Sequence, residues 1–138
     1  MGCDIHAYFE IKVNGKWLLY AQPRIKRNYQ LFSKMAGVRG DEEPLSAPKG
    51  FPADASEVVT LEYNWWGTDG HTHSWFNADE ISKIIKYHES IVPEESSFRV
   101  TLEQWFYLNG NGWEHFRKCR SEYPEEIEDI RLVFWFDN

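Results

Sequence analysis

Two short stretches of the chain place acids and histidines side by side. Residues 69–75 hold one acid, two histidines and a serine, and Asp4 and His6 lie two apart near the N-terminal end. Histidine titrates near neutrality, so these groups could move protons if they share a pocket. We predict that the fold brings both stretches into one catalytic site, made of Asp4, His6, Asp69, His71 and His73.

The same residue types suit a divalent metal ion. Imidazole nitrogen and carboxylate oxygen are ligands that Zn²⁺ and Mn²⁺ accept, and the candidate ligands are Asp4, His6, His71 and His73. A metal bound there would activate water for phosphoester hydrolysis. No complete signature such as His-Glu-x-x-His is present. The alternative is a polar sheet face beside a glycine turn that satisfies its own backbone.

Other side chains near these stretches suit an anionic, ring-bearing ligand. Arg27 and Arg39 flank a predicted helix and could clamp a phosphate. The tryptophans around the histidines could stack on a base, although core packing is the simpler role for each. The predicted ligand-binding residues are Arg27, Asn28, Arg39, Trp66, Ser74 and Trp75.

Composition limits the class of protein. A chain of 138 residues suits a single domain, 1–138. The net charge of −7 argues against general nucleic-acid binding, yet residues 1–39 carry a net +5 and leave room for a small anionic ligand. The two cysteines and the lack of a secretion signal favour a reducing cytoplasm without a disulfide. No apolar run is long enough to cross a membrane.

Period-two alternation and turn residues predict a small antiparallel sheet. Apolar and polar residues alternate over Asp4–Val13, and Asn14-Gly15 suits a hairpin turn into Lys16–Ala21. Residues 130–136 are rich in β-formers. We predict an α+β fold of about three strands with several helices on one face. Asp4–Val13 should be the central strand, between Lys16–Ala21 and residues 130–136.

Capping residues predict the helices. Asn28 and Gly37 bracket one helix, and another should run from Asp54 or Ser56 to about Trp65 with Val58, Leu61 and Trp65 on one face. Asn77 and Glu80 form a capping-box pattern before a stripe of Ile81, Ile84, Ile85 and His88. Further helical turns are predicted after Thr101, over residues 113–120 and over residues 124–129, with a polar loop over residues 89–97.

Several motifs together resemble a family of short bacteriophage and prophage proteins. They are the Met-Gly-Cys-Asp-Ile-His start, Arg27-Asn28-Tyr29 with Leu31-Phe32, Gly37-Val38-Arg39, the Gly-x-Asp-Gly-His-x-His-Ser-Trp stretch and the closing Val133-Phe134-Trp135-Phe136-Asp137. The resemblance implies a phage origin and a place in the cytoplasm of an infected bacterium. It implies no particular catalytic residue.

These observations leave two classes of function open. The first is a protein that binds a small anionic, nucleotide-like ligand in an Asp/His-rich pocket, with metal-dependent phosphoester hydrolysis as its reaction if it is an enzyme. The second is a non-catalytic antagonist of host defence. It would sequester a nucleotide signal, or it would dock on a host protein through exposed aromatic residues and its acidic C-terminal half.

Overall fold

The computed structural model describes residues 2–92 and 127–138. Its elements are β1 (Asp4–Val13), β2 (Lys16–Ala21), α1 (Tyr29–Ala36), α2 (Glu57–Trp66), a 3-10 turn (Gly67–Asp69), β3 (Gly70–Asn77), α3 (Ala78–Ile91) and β4 (Ile127–Asp137). The α+β class is confirmed. The predicted helical turns after Thr101 and over residues 113–120 lie outside the described residues. Among the described residues, no helix is both long and apolar enough to cross a membrane.

The sheet has four antiparallel strands in the order β2-β1-β4-β3. β1 is therefore central between β2 and β4, as predicted. Asn14 and Gly15 have positive φ, as a type I′ hairpin turn requires. The expected count of about three strands is one too low, because residues 70–77 pair along the free edge of β4. Residues 127–129 continue β4 and do not form the predicted helical turn.

The two faces of the sheet carry two separate apolar cores. One core joins Ile5, Ala7 and Phe9 of β1 to the buried sides of α1 and α3. The other joins Tyr8, Val133 and Trp135 to Val59 of α2. The prediction of helices on a single face is wrong, because the opposite face of β1 and β4 also bears large apolar side chains that need cover.

The helix caps follow the sequence closely. Asn28 caps α1 by accepting a hydrogen bond from Leu31 N, and Gly37 ends the helix in the left-handed conformation. Asn77 and Glu80 form the predicted capping box of α3, which continues to Ile91, three residues into the predicted loop. Ser56 caps α2.

The apolar stripe of α2 does not lie in the core. Val58, Leu61 and Trp65 are 48%, 67% and 80% exposed, whereas Val59 is fully buried. They share a helix face as predicted, but that face points to solvent. Tertiary packing has selected the Val59 side of α2 instead.

Candidate functional site

His6 is held between a carboxylate and an indole at the end of the sheet where β1 begins. It is paired across the strands with Trp135, and its Nε2 lies 2.8 Å from Asp137 Oδ2. The His6 and Asp137 side chains are only 18% and 15% exposed. The last residue of α2, Trp66, packs on the His6 ring with centroids 4.1 Å apart. The ring is thus fixed in orientation by two neighbours.

A cleft of about 580 Å³ opens beside His6. The pairing of β2 with β1 covers only Phe9 to Val13, so residues 22–26 run alongside the first half of β1 without continuing the β2 ladder. The lining includes Asp4 and His6 from β1 and Arg24 and Lys26 from residues 22–26. A histidine paired with a carboxylate therefore shares with two cationic side chains a cleft large enough for a small molecule.

Asp4 forms an ion pair with Arg27. Two guanidinium nitrogens of Arg27 lie 3.0 and 2.9 Å from Asp4 Oδ1, and both side chains are about half exposed. The hydrogen bond from Arg27 to Asp4 raises the pKa of Arg27. This pairing uses the carboxylate that we predicted as a metal ligand and offsets the charge of one predicted phosphate clamp.

His71 lies on the other face of the sheet. It is the cross-strand partner of Phe136 and stacks on that ring at 6.2 Å, whereas His6 is paired with Trp135. Trp135 and Phe136 are neighbours on β4 and face opposite sides, and so do His6 and His71. The prediction that both line one pocket is wrong. The register of β3 causes this, because it pairs His71 with Phe136, and the positive φ of 54° at Thr72 accompanies the later break in pairing, which turns His73 to the opposite face.

His73 shares the face of His6 but lies among aromatic rings. Its ring centroid is 5.0 Å from that of Tyr63 and 5.7 Å from that of Trp135. Burial lowers the pKa of His73, and the nearby charge of His71 lowers it further. Its Nε2 is buried and has no hydrogen-bond partner among the described residues. His73 is therefore a neutral imidazole in an apolar setting.

The other predicted site residues are spread over the molecule. Asp69 is exposed in the 3-10 turn, and Asn28 caps α1. The Ser74 hydroxyl is buried and accepts a hydrogen bond from the backbone N–H of Lys49. Arg39 lies over the Tyr29 ring and donates to Asn138, which also contacts His71. Trp66 contacts His6, but Trp75 lies under the ammonium group of Lys49.

The predicted metal ligands are divided in the same way. Within residues 2–92 and 127–138, no group of three or more histidine, cysteine, aspartate or glutamate side chains is placed to hold a metal ion. Asp4 is paired with Arg27, and His71 lies across the sheet from His6. His6 is paired with Asp137, and His73 packs against Tyr63 and Trp135.

Sequence reasoning missed Asp137, Arg24 and Lys26 as site residues. A signal for Asp137 was present, because antiparallel pairing of the first strand with the last brings residue 137 opposite Asp4. The cluster of positive charge around residues 24–27 pointed to an anion site but did not show which residues line it. No family model, curated protein or solved structure matches this chain. The resemblance to short phage proteins therefore stays a prediction.

Proposed function

We propose that this protein binds a small anionic, nucleotide-like ligand in the cleft between residues 4–7 and 22–26. The observation that carries the proposal is that His6, which is paired with Asp137, lines the same cleft as Arg24 and Lys26. The two cations would hold a phosphate or carboxylate, because cationic donors form the stronger class of hydrogen bond to anions. Phage origin and a cytoplasmic site of action belong to this proposal as its context.

If the protein is an enzyme, His6 is the group that moves the proton. Asp137 accepts the hydrogen on Nε2, so Nδ1 of the neutral ring is left as the base. Asp137 then stabilises the imidazolium that forms when Nδ1 takes a proton from water. The reaction class is phosphoester hydrolysis. If a metal such as Zn²⁺ or Mn²⁺ takes part, it would activate the attacking water.

Isothermal titration with AMP and with pyrophosphate tests the binding proposal. We expect a double substitution, Arg24→Ala with Lys26→Ala, to weaken binding roughly tenfold or more, about 1.4 kcal/mol. The matched control is Lys83→Ala with Lys86→Ala, which removes the same charge from exposed positions on α3. Equal losses in the two variants, or no binding by the wild type, would contradict the proposed cleft.

Turnover of bis(p-nitrophenyl) phosphate tests the catalytic version. His6→Gln should abolish turnover while AMP binding changes less than threefold, roughly 0.7 kcal/mol. Asp137→Asn should lower turnover less than His6→Gln, because it leaves the imidazole in place. Adding and removing Zn²⁺ and Mn²⁺ shows whether a metal takes part. Binding that persists with no turnover under any of these conditions would favour ligand sequestration over hydrolysis.

The second candidate function is docking on another protein, and the exposed stripe of Val58, Leu61 and Trp65 favours it. Apolar side chains that share an exposed helix face are typical of interaction surfaces. On this interpretation Trp65→Lys abolishes association with a bacterial host protein and leaves AMP binding unchanged. Loss of AMP binding in Trp65→Lys would instead connect the stripe to the neighbouring Trp66 and the His6 cleft.

A further inference from the structure

A second cleft, of about 650 Å³, lies on the same sheet face as His6 but at the other end of β4. Arg131 forms part of its lining, and Arg131 and Trp135 are four residues apart on one face of β4, a separation of about 13 Å. The side chains that matter for its chemistry are Lys12, Trp17, Asp54, Trp75, Asn77 and Arg131. None of them contributes to the His6 cleft.

The Arg131 side chain is held in the wall of this cleft by its neighbours. It is only 4% exposed, its Nε donates to Glu10 Oε1 at 2.7 Å, and its Nη1 donates to Asp54 Oδ1 at 2.9 Å. The Trp17 ring covers the guanidinium at 4.0 Å. These contacts fix the plane of the group and leave Nη2 as a buried donor with no partner among the described residues.

The surroundings of Arg131 decide what kind of acceptor Nη2 would take. Glu10 is fully buried and Asp54 is also bonded to the guanidinium, so the charge of Arg131 is already offset by carboxylates. Arg131 donates a hydrogen bond to Asp54, which lowers the pKa of Asp54 and keeps it ionised at neutral pH. A phosphate would meet these carboxylates at close range. A neutral carbonyl oxygen would not be repelled by them.

The rest of the lining suits a flat ring with its own N–H groups. Trp17 and Trp75 line the cleft, with Arg131 over one face of Trp17 and Lys49 over one face of Trp75, so a ligand ring would stack on the remaining face of either indole. Asp54 and Asp129 supply carboxylate oxygens that accept hydrogen bonds. Guanine combines a carbonyl acceptor with N–H donors on one plane, whereas adenine has an amino donor where guanine has the carbonyl.

We propose that this cleft is a nucleobase site that takes an oxo-purine of the guanine type. Arg131 Nη2 donates to the ring carbonyl, a carboxylate of the cleft accepts from the ring N–H groups, and a tryptophan stacks on the ring. The site is separate from the anion cleft beside His6, and it needs neither Arg24 nor Lys26. Its failure and that of the proposed function can therefore be told apart.

Titration of the full chain with guanosine tests this site, because guanosine has no phosphate. Tryptophan indole N–H signals are followed by ¹H–¹⁵N NMR and assigned with single Trp→Phe variants. We expect saturable shifts of the Trp17 and Trp75 signals, with the Trp65 signal unchanged. Adenosine should bind roughly tenfold more weakly or not at all.

Two variants complete the test. Trp75→Leu, titrated at a temperature where denaturation shows the variant to be folded, should weaken guanosine binding roughly tenfold. Trp65→Leu is the control at an exposed position of α2. Arg131→Lys keeps the charge but removes Nη2, so it should erase the preference for guanosine over adenosine. Equal binding of both nucleosides, shifts confined to tryptophans outside the cleft, or no shift at millimolar guanosine would overturn the proposal.

Discussion

His73 shows how one residue can resemble a catalytic group in sequence and have a different role in the fold. It lies two residues from His71, but it packs against Tyr63 and Trp135 on the opposite face of the sheet. Gly70 approaches the same place closely: a Cβ there would lie 3.1 Å from Trp135 and 3.3 Å from His73. A larger residue at position 70 would require these rings to shift by a few tenths of an ångström. Burial lowers the pKa of His73 and so favours the neutral imidazole.

The depressed pKa of His73 predicts how stability depends on pH. Burial lowers its pKa below 6.5, so below that pH the unfolded chain binds a proton that the folded chain does not. The free energy of unfolding should therefore fall as the pH is lowered through the window below 6.5. Above that window the contribution is constant.

Urea titrations between pH 7.5 and 5.5 measure this effect. The difference in unfolding free energy between the wild type and His73→Phe should be flat at the upper end and should shift in favour of His73→Phe as the pH falls. The control is His71→Gln, which keeps His73 and most of the wild-type slope. A His73→Phe variant with the full wild-type slope would show that other groups cause it.

Among the helices, the ends of α1 follow its capping residues, whereas the buried side of α2 does not follow its apolar stripe. α1 begins and ends where Asn28 and Gly37 indicate, because both caps act through hydrogen bonds to backbone groups within five residues. α2 begins after Ser56, one of its two predicted starts, but the buried side of α2 is not its most apolar stripe. Caps set where a helix begins, and the neighbouring elements decide which side is covered.

Asn28 therefore has a structural use that competes with the predicted role in ligand binding. Its Oδ1 accepts a hydrogen bond from Leu31 N at 3.0 Å. Asn28→Ala should lower the free energy of unfolding by about 1 kcal/mol, and Asn28→Ser should lower it by only about 0.3 kcal/mol, because serine also caps helices well. Chemical denaturation measures both, and AMP titration at a temperature where both variants are folded should show unchanged binding. If the stable Asn28→Ser variant bound AMP more weakly than the wild type, Asn28 would be a ligand-binding residue as first predicted.

At the scale of the whole molecule, a buried ion pair connects distant parts of the chain. Glu10 of β1 is fully buried, accepts a hydrogen bond from Arg131 of β4, and also accepts one from the backbone N–H of Ser56 at the start of α2. A single carboxylate thus fixes the relation of the two central strands to the segment that covers them.

Removing one partner of the Glu10–Arg131 ion pair should show how far the stability of the fold depends on it. Glu10→Leu leaves the buried Arg131 without its main counter-charge and should cost roughly 3–5 kcal/mol of unfolding free energy. Combining Glu10→Leu with Arg131→Met should recover most of that loss. Urea denaturation of the wild type, both single variants and the double variant gives the coupling free energy. Strictly additive losses would mean that the two side chains act independently.

Much of the fold could be predicted because its signals are local. The alternation over Asp4–Val13, the Asn14-Gly15 turn and the caps at Asn28, Ser56 and Asn77 each act over a few residues, and the structure follows all of them. Even the central place of β1 follows from its uninterrupted alternation. Less of the candidate site could be predicted: Asp4 and His6 do border one cleft, but the histidine pair that completed the predicted site is split.

Local sequence signals were enough to predict the element types, the hairpin, the caps and the groups able to do chemistry. Which of those groups lie together depends on packing between elements that are far apart in the chain. His6 and Asp137 are 131 positions apart, and they are paired because β1 and β4 align to bury their aromatic residues. Strand register fixes the face of every side chain, and one positive φ at Thr72 reverses it between His71 and His73. Such choices depend on packing across the whole sheet, which no short stretch of sequence encodes.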